Sequence, residues 1–101
     1  MDDVLQLERV RRIQDEYGNM APDKEKRQVF CQIESIDRTE HFEAGRNGLN
    51  PSMKFVIFQG DYNEEETVIY QKKTYSVYRT YRIPGSDYME LYVEKKGGVH
   101  G

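Results

Sequence analysis

Thr74-Tyr75-Ser76-Val77-Tyr78-Arg79-Thr80-Tyr81-Arg82-Ile83, then Pro84-Gly85-Ser86-Asp87, then Tyr88-Met89-Glu90-Leu91-Tyr92-Val93-Glu94 is the stretch that decides the fold class. The first run sets Tyr75, Val77, Arg79, Tyr81 and Ile83 against Ser76, Tyr78, Thr80 and Arg82. The last sets Met89, Leu91 and Val93 against Tyr88, Glu90 and Tyr92. A period of two is the strand signal. The residues between supply turn chemistry, so the pair predicts an antiparallel hairpin.

Working outward, seven of the eight tyrosines fall between Tyr62 and Tyr92, and there is no tryptophan. Aromatic and β-branched residues suit a pleated, half-buried surface. Met53 to Phe58 and Thr67 to Tyr70 read as further strands, with Gln71-Lys72-Lys73 turning into the Tyr75 strand. The expectation for this half is a four-strand meander. Upstream, Arg27 to Ile36 alternates as a strand buried partly on both faces. Leu5 to Ile13 suits an early strand, although Val4, Leu7 and Val10 would equally suit a helix. Between them, Asp15 to Asn19, Pro22 and the charges from Asp23 to Arg27 read as a polar connection, the tip of a long hairpin. Asp37 to Ala44 is the helical stretch. Asp37 can cap it, Glu40 stands where a capping box needs an acid, Ile36 can meet Phe42, and Gly45 is expected to stop it.

The predicted architecture is mainly β: a small antiparallel barrel or sandwich of about six strands with one short helix and a long inter-strand loop. With 101 residues the chain is one domain, expected over 1–96, with 97–101 as a disordered tail. The formal charge is −3 and the charges are interspersed, which gives no basic footprint for nucleic acid. Hydrophobic residues make up 37%, below the usual share, so a monomer gains from burying surface against neighbours. The single cysteine rules out an internal disulfide framework and a cysteine-based zinc site. The longest apolar run, Phe55 to Phe58, is too short for a membrane span or a signal peptide.

Catalytic chemistry is thin. His41 reads as a solvated helix residue, Cys31 as a core thiol, and Glu64-Glu65-Glu66 as a solvated turn. No catalytic, metal or cofactor residue is assigned. Tyr75, Tyr78, Arg79, Tyr81 and Arg82 form an aromatic–basic band. Core packing and cross-strand pairing explain most such bands, but Tyr78, Arg79, Tyr81 and Arg82 could also serve a protein interface or stack single-stranded nucleic acid.

Three blocks together carry a resemblance. They are Asp15-Glu16-Tyr17-Gly18-Asn19 ahead of Val29 to Ile33; Ser35 to Ala44 with Gly48-Leu49-Asn50-Pro51; and Asp61-Tyr62-Asn63 with Val68 to Tyr81 and Glu90-Leu91-Tyr92. In order and spacing they resemble the head-closure, or head–tail connector "stopper", proteins of long-tailed bacteriophages and prophages. The resemblance implies a small β-barrel that assembles as a ring beneath the portal and adaptor after packaging. It would retain the genome and present a docking surface to the tail. It implies no enzyme activity and no cofactor. The implied partners are further copies of the chain, portal and adaptor proteins, and the tail terminator or other tail proteins. Double-stranded DNA passes through without specific binding, and no membrane is involved. The implied location is the virion head–tail interface, reached from the host cytoplasm. Arg46, Asn47, Gly48, Leu49 and Asn50 are the expected channel or inter-subunit loop. Tyr17, Gly18 and Asn19 are the expected adaptor or tail contact. Family members often carry Gly where Lys73 stands, so the turn there is expected to be wider than a tight two-residue turn. The alternative from another class is a single-stranded nucleic-acid-binding barrel.

Overall fold

A computed structural model describes residues 2–96. The expected tail at 97–101 lies outside the described residues. These form β1 (Asp3–Gln14), β2 (Met20–Glu34), α1 (Arg38–Arg46), β3 (Pro51–Phe58), β4 (Thr67–Tyr70), β5 (Lys73–Arg82) and β6 (Tyr88–Lys95), with a 3-10 turn at Gln59–Asp61. The strands are antiparallel and close in a ring in the order β1-β2-β3-β6-β5-β4. Mainly β is therefore the fold class, and the ring is a small barrel.

Strand parity builds the core. Leu5 faces Val29, Phe55 faces Leu91, Ile57 faces Met89 and Val77 faces Val93 across neighbouring strands. Each strand sends at least one side chain to this interior. The ring of Phe55 meets Tyr70 and Tyr75 edge-on, with centroids 5.4 and 6.2 Å apart. Cys31 is fully buried, and burial, reinforced by Asp3, pushes its thiol up to about 11, so it remains an unreactive core thiol.

The expected meander is corrected. β3 pairs with β6, not with β4, and the chain from Gln59 to Glu66 carries β4 across to β1. That β1–β4 seam has three residue pairs, with Leu7 opposite Val68 at its centre. The solvated-turn reading of Glu64 to Glu66 is corrected with it. Glu65 is 3% exposed. Its carboxylate accepts Arg27 Nε at 3.1 Å, Arg27 Nη2 at 2.5 Å and the Asn63 N–H at 2.7 Å. Arg27 Nη2 also donates to the Asp61 carbonyl at 2.6 Å. The Tyr62 hydroxyl donates to the Glu65 carbonyl at 2.7 Å. Burial first, then the charges of Glu64 to Glu66, pushes Tyr62 up to about 12, so it keeps its proton for that bond. The crossover is therefore fixed by charge-assisted hydrogen bonds together with the packing of Tyr62 against the core.

β1 and β2 are longer than expected. The strand pairing runs through the charged connection as far as Gln14 opposite Met20. Opposite charges face each other there, Glu8 with Lys26 and Arg9 with Glu25, which favours the ladder. β2 meets β3 over Gln32–Glu34 and β1 meets β4 over Gln6–Glu8. Beyond these, the two strands pair only with each other among the described residues. They form an arm projecting about 20 Å from the barrel, and the molecule measures 51 × 34 × 23 Å.

The turn before β5 is also corrected. Tyr70 pairs with Lys73, leaving Gln71 and Lys72 as a two-residue loop, both at positive φ (49° and 65°). The twist of the flanking strands selects this tight turn even without glycine. The left-handed backbone is a cost of about 1 kcal/mol or more at non-glycine residues. Replacing the pair by Gln71→Asn with Lys72→Gly should stabilise the fold by about 1 kcal/mol and raise Tm by about 4–8 °C, read by thermal denaturation. Glu65→Ala should cost about 2–3 kcal/mol in urea unfolding. That is less than a fully buried pair would lose, because Arg27 is half-exposed and stays hydrated.

Candidate functional site

The outer face of the barrel carries two cross-strand rows of different chemistry. One row reads Arg79, Tyr92, Lys54, Glu34 across β5, β6, β3 and β2. A β-bulge between Val77 and Arg79 makes it. The extra residue, Tyr78, breaks the alternation read from sequence. After it, Thr80 and Arg82 stand opposite the inward Leu91 and Met89, while Arg79 and Tyr81 stand opposite Tyr92 and Glu90. The face Tyr75, Val77, Arg79, Tyr81, Ile83 is thus split by the bulge, and Tyr75 belongs to the core.

Tyr78 and Arg79 together hold Glu40 of α1. The Tyr78 hydroxyl donates to Glu40 Oε2 at 2.8 Å, and Arg79 Nη2 and Nε donate to its two oxygens at 2.6 and 3.4 Å. The Arg79 guanidinium lies 3.9 Å from the centroid of the Tyr92 ring. The Tyr92 hydroxyl donates to Glu90 at 2.6 Å, Glu90 accepts Lys54 at 3.1 Å, and Lys54 lies 3.5 Å from Glu34. Burial alone would raise the Glu40 pKa. The hydrogen bonds from Arg79 and Tyr78 and the Arg79 charge outweigh it and hold it below its ordinary value. Burial and the Glu40 bond push Tyr78 up, keeping it a donor. Of the four band residues, two are therefore committed to clasping the helix. Tyr81 and Arg82 remain exposed.

α1 itself spans two residues more than expected. Asp37 caps it, accepting the Glu40 N–H at 2.7 Å. The box is half-formed, because the Glu40 side chain turns to β5 instead. Gly45 lies inside the helix, and the stop falls at Gly48 (φ 79°). The Gly48 N–H donates to the Gly45 carbonyl and the Leu49 N–H to the Ala44 carbonyl, both at 3.0 Å. This is the Schellman arrangement, and it needs the left-handed residue. Ala44 is buried, whereas Phe42 is exposed under the Arg46 guanidinium, 5.8 Å from its ring centroid. The segment Arg46, Asn47, Gly48, Leu49, Asn50 is accordingly a short capped turn rather than a long loop, and the helix fills most of the Asp37-to-Pro51 connection.

Tyr17, Gly18 and Asn19 lie at the end of the arm. Asp15 organises the turn. Its Oδ1 accepts the N–H groups of Tyr17 and Asn19, each at 2.9 Å, and its N–H and carbonyl close on Asn19 and Gly18. Gly18, at φ 84°, supplies the left-handed position of a three-residue hairpin loop. Tyr17 is 81% exposed.

The second outer row was not signalled by the sequence reading. Val4 faces Phe30, and Phe58 faces Tyr88. All four are outward and exposed. Apolar residues at the outward positions of alternating strands were the available signal, but they cannot be separated from core residues before the register is known.

Among the described residues no three His, Cys, Asp or Glu side chains are placed to hold a metal ion, and no helix is long and apolar enough to cross a membrane. Compared with known proteins, the sequence matches no family model and no curated protein.

Glu40 is the residue on which the clasp turns. Glu40→Ala should cost about 1–2 kcal/mol, since its main cation is half-exposed, and should raise amide exchange in α1 without unfolding the barrel. A lowered carboxylate pKa stabilises above its unfolded value, 4.5, and that stability is lost as pH falls through the folded value. Glu40→Gln should therefore flatten the part of the stability profile below pH 4.5, measured by urea unfolding at stepped pH.

Proposed function

We propose that this protein is a structural virion-assembly protein of head-closure type. In this reading it forms a ring below the portal and adaptor, retains the packaged genome, and gives the tail a docking surface. The observation that carries the reading is the arm. A two-stranded ribbon with a hydrogen-bonded, tyrosine-tipped turn extends well beyond a small closed core. Such a projection suits contact with a neighbouring component far better than it suits chemistry. Its tip, Tyr17 to Asn19, is the proposed adaptor or tail contact. The capped turn Arg46 to Asn50 is the proposed channel or inter-subunit contact, held by the helix-stop hydrogen bonds and, through α1, by the clasp on Glu40. The resemblance of the three sequence blocks supports the same reading. So does the net acidic charge, which avoids gripping the DNA that must traverse the ring.

The nucleic-acid alternative loses support from the clasp. On the aromatic–basic face Tyr78 and Arg79 are engaged by Glu40, which leaves Tyr81 and Arg82 as the residues open to stacking and phosphate contact.

Electron microscopy of particles from a phage or induced prophage lacking this coding sequence tests the proposal. DNA-depleted tailless heads beside complete free tails are expected. Normal tailed particles would overturn it. A fluorescent oligonucleotide titration at two salt concentrations should show no strong, salt-sensitive affinity.

A further inference from the structure

β2 and β3 part company after Gln32 opposite Val56. Phe30 and Phe58 each stand two residues beyond that pair, on the outer face of the fork. With Tyr88 and Asp61 they border an open cavity of about 370 Å³. The three rings are 66%, 45% and 41% exposed, so three aromatic side chains meet solvent around one cavity. Phe58 and Tyr88 stand edge-to-face, 6.3 Å between centroids at 77°. Gly60 sets the position of the Phe58 ring: a Cβ there would lie 2.6 Å from it.

Asp61 is the charged residue that borders the cavity. The Asp61 carboxylate has no ion-pair or hydrogen-bond partner among the described residues. The cation nearest in the chain's bonding, Arg27, is committed to Glu65 and touches only the Asp61 carbonyl. Aromatic faces beside an unpaired carboxylate attract a cation from two directions. A planar guanidinium matches both, stacking on a ring while forking onto the carboxylate. Next to Phe30, the β2 edge has no strand partner on its β3 side among the described residues, so an extended segment can add there by main-chain hydrogen bonds.

We propose that this fork is a docking site for a partner protein, which lays an extended segment along the β2 edge and places an arginine side chain between Phe30, Phe58 and Tyr88 against Asp61. The site stands on its own chemistry and goes beyond the head-closure reading.

Titrating the labelled full chain with acetyl-Thr-Val-Arg-Val-Thr-amide, followed by NMR, tests it. The expected result is saturable shifts in the Phe30, Phe58 and Tyr88 rings and in β2 amides, with a dissociation constant of about 1–10 mM, the range of one such contact. The same peptide with citrulline for arginine, and Asp61→Asn with the arginine peptide, should each weaken binding by about fivefold or more. Gly60→Ala keeps an ordinary backbone and should weaken binding about threefold by displacing only the Phe58 ring. Equal binding of the citrulline peptide, unchanged affinity in Asp61→Asn, shifts confined to another surface, or no saturable shift would each overturn the proposal. Concentration-dependent shifts of these rings without peptide would give the fork to a second copy of the chain and overturn it as well.

Discussion

Closure of the barrel depends on delivering β4 to β1. The seam is short, Gln6 to Glu8 against Thr67 to Ile69, and its buried centre is Leu7 on Val68. Apolar burial of Val68, Tyr70 and Tyr62 is joined there by a buried charge. Glu65 is taken out of water and held by Arg27 and by the Asn63 N–H, which fixes the crossover above the barrel mouth. A buried carboxylate without those donors would cost more than the short seam returns. The same Arg27 is the residue opposite Leu7 in the β1–β2 ladder. One side chain therefore links the crossover, the seam and the root of the arm.

With the ring closed, the outer face becomes a second organising surface. Each strand contributes every other residue to it, and cross-strand neighbours line up in rows. Near one end the row is charged and aromatic, and it grips α1 through Glu40. Near the other it is apolar and bare, where β2 leaves the barrel to become the arm. The bulge at Tyr78 makes the grip on α1. It turns two consecutive side chains outward, so that a hydroxyl and a guanidinium reach the same carboxylate. Without it, Arg79 would share the inward parity of Tyr75 and Val77, next to a core with no partner for its charge.

How much of this the sequence shows depends on the range of the interaction. Alternation from Thr74 to Ile83 and from Tyr88 to Glu94 identifies β5 and β6, since a pleat imposes its period on any strand with one buried face. The Asp37 cap is legible for the same local reason. The helix end is less so: Gly45 and Gly48 are equally good stops in sequence, and only the hydrogen bonds to Ala44 and Gly45 choose between them. Of the candidate site residues, the turn at Tyr17 to Asn19 is legible because Asp15 and Gly18 act within five residues. The fate of Tyr78 and Arg79 is not, because their partner Glu40 lies far away in the chain and the bulge that aims them has no residue signature.

By itself the sequence determines the β class, the four strand segments from Met53 onward, the capped start of the helix and the buried core thiol, all consequences of forces acting over a few residues; the extent of β1 and β2 is not among them. Only the tertiary structure decides that β3 neighbours β6, that Glu65 is buried, that Lys72 accepts a left-handed backbone, and that Phe30, Phe58 and Tyr88 share one exposed fork. Each of these depends on which strands pair and in what register. That choice minimises the free energy of the whole ring at once, and no local stretch carries it.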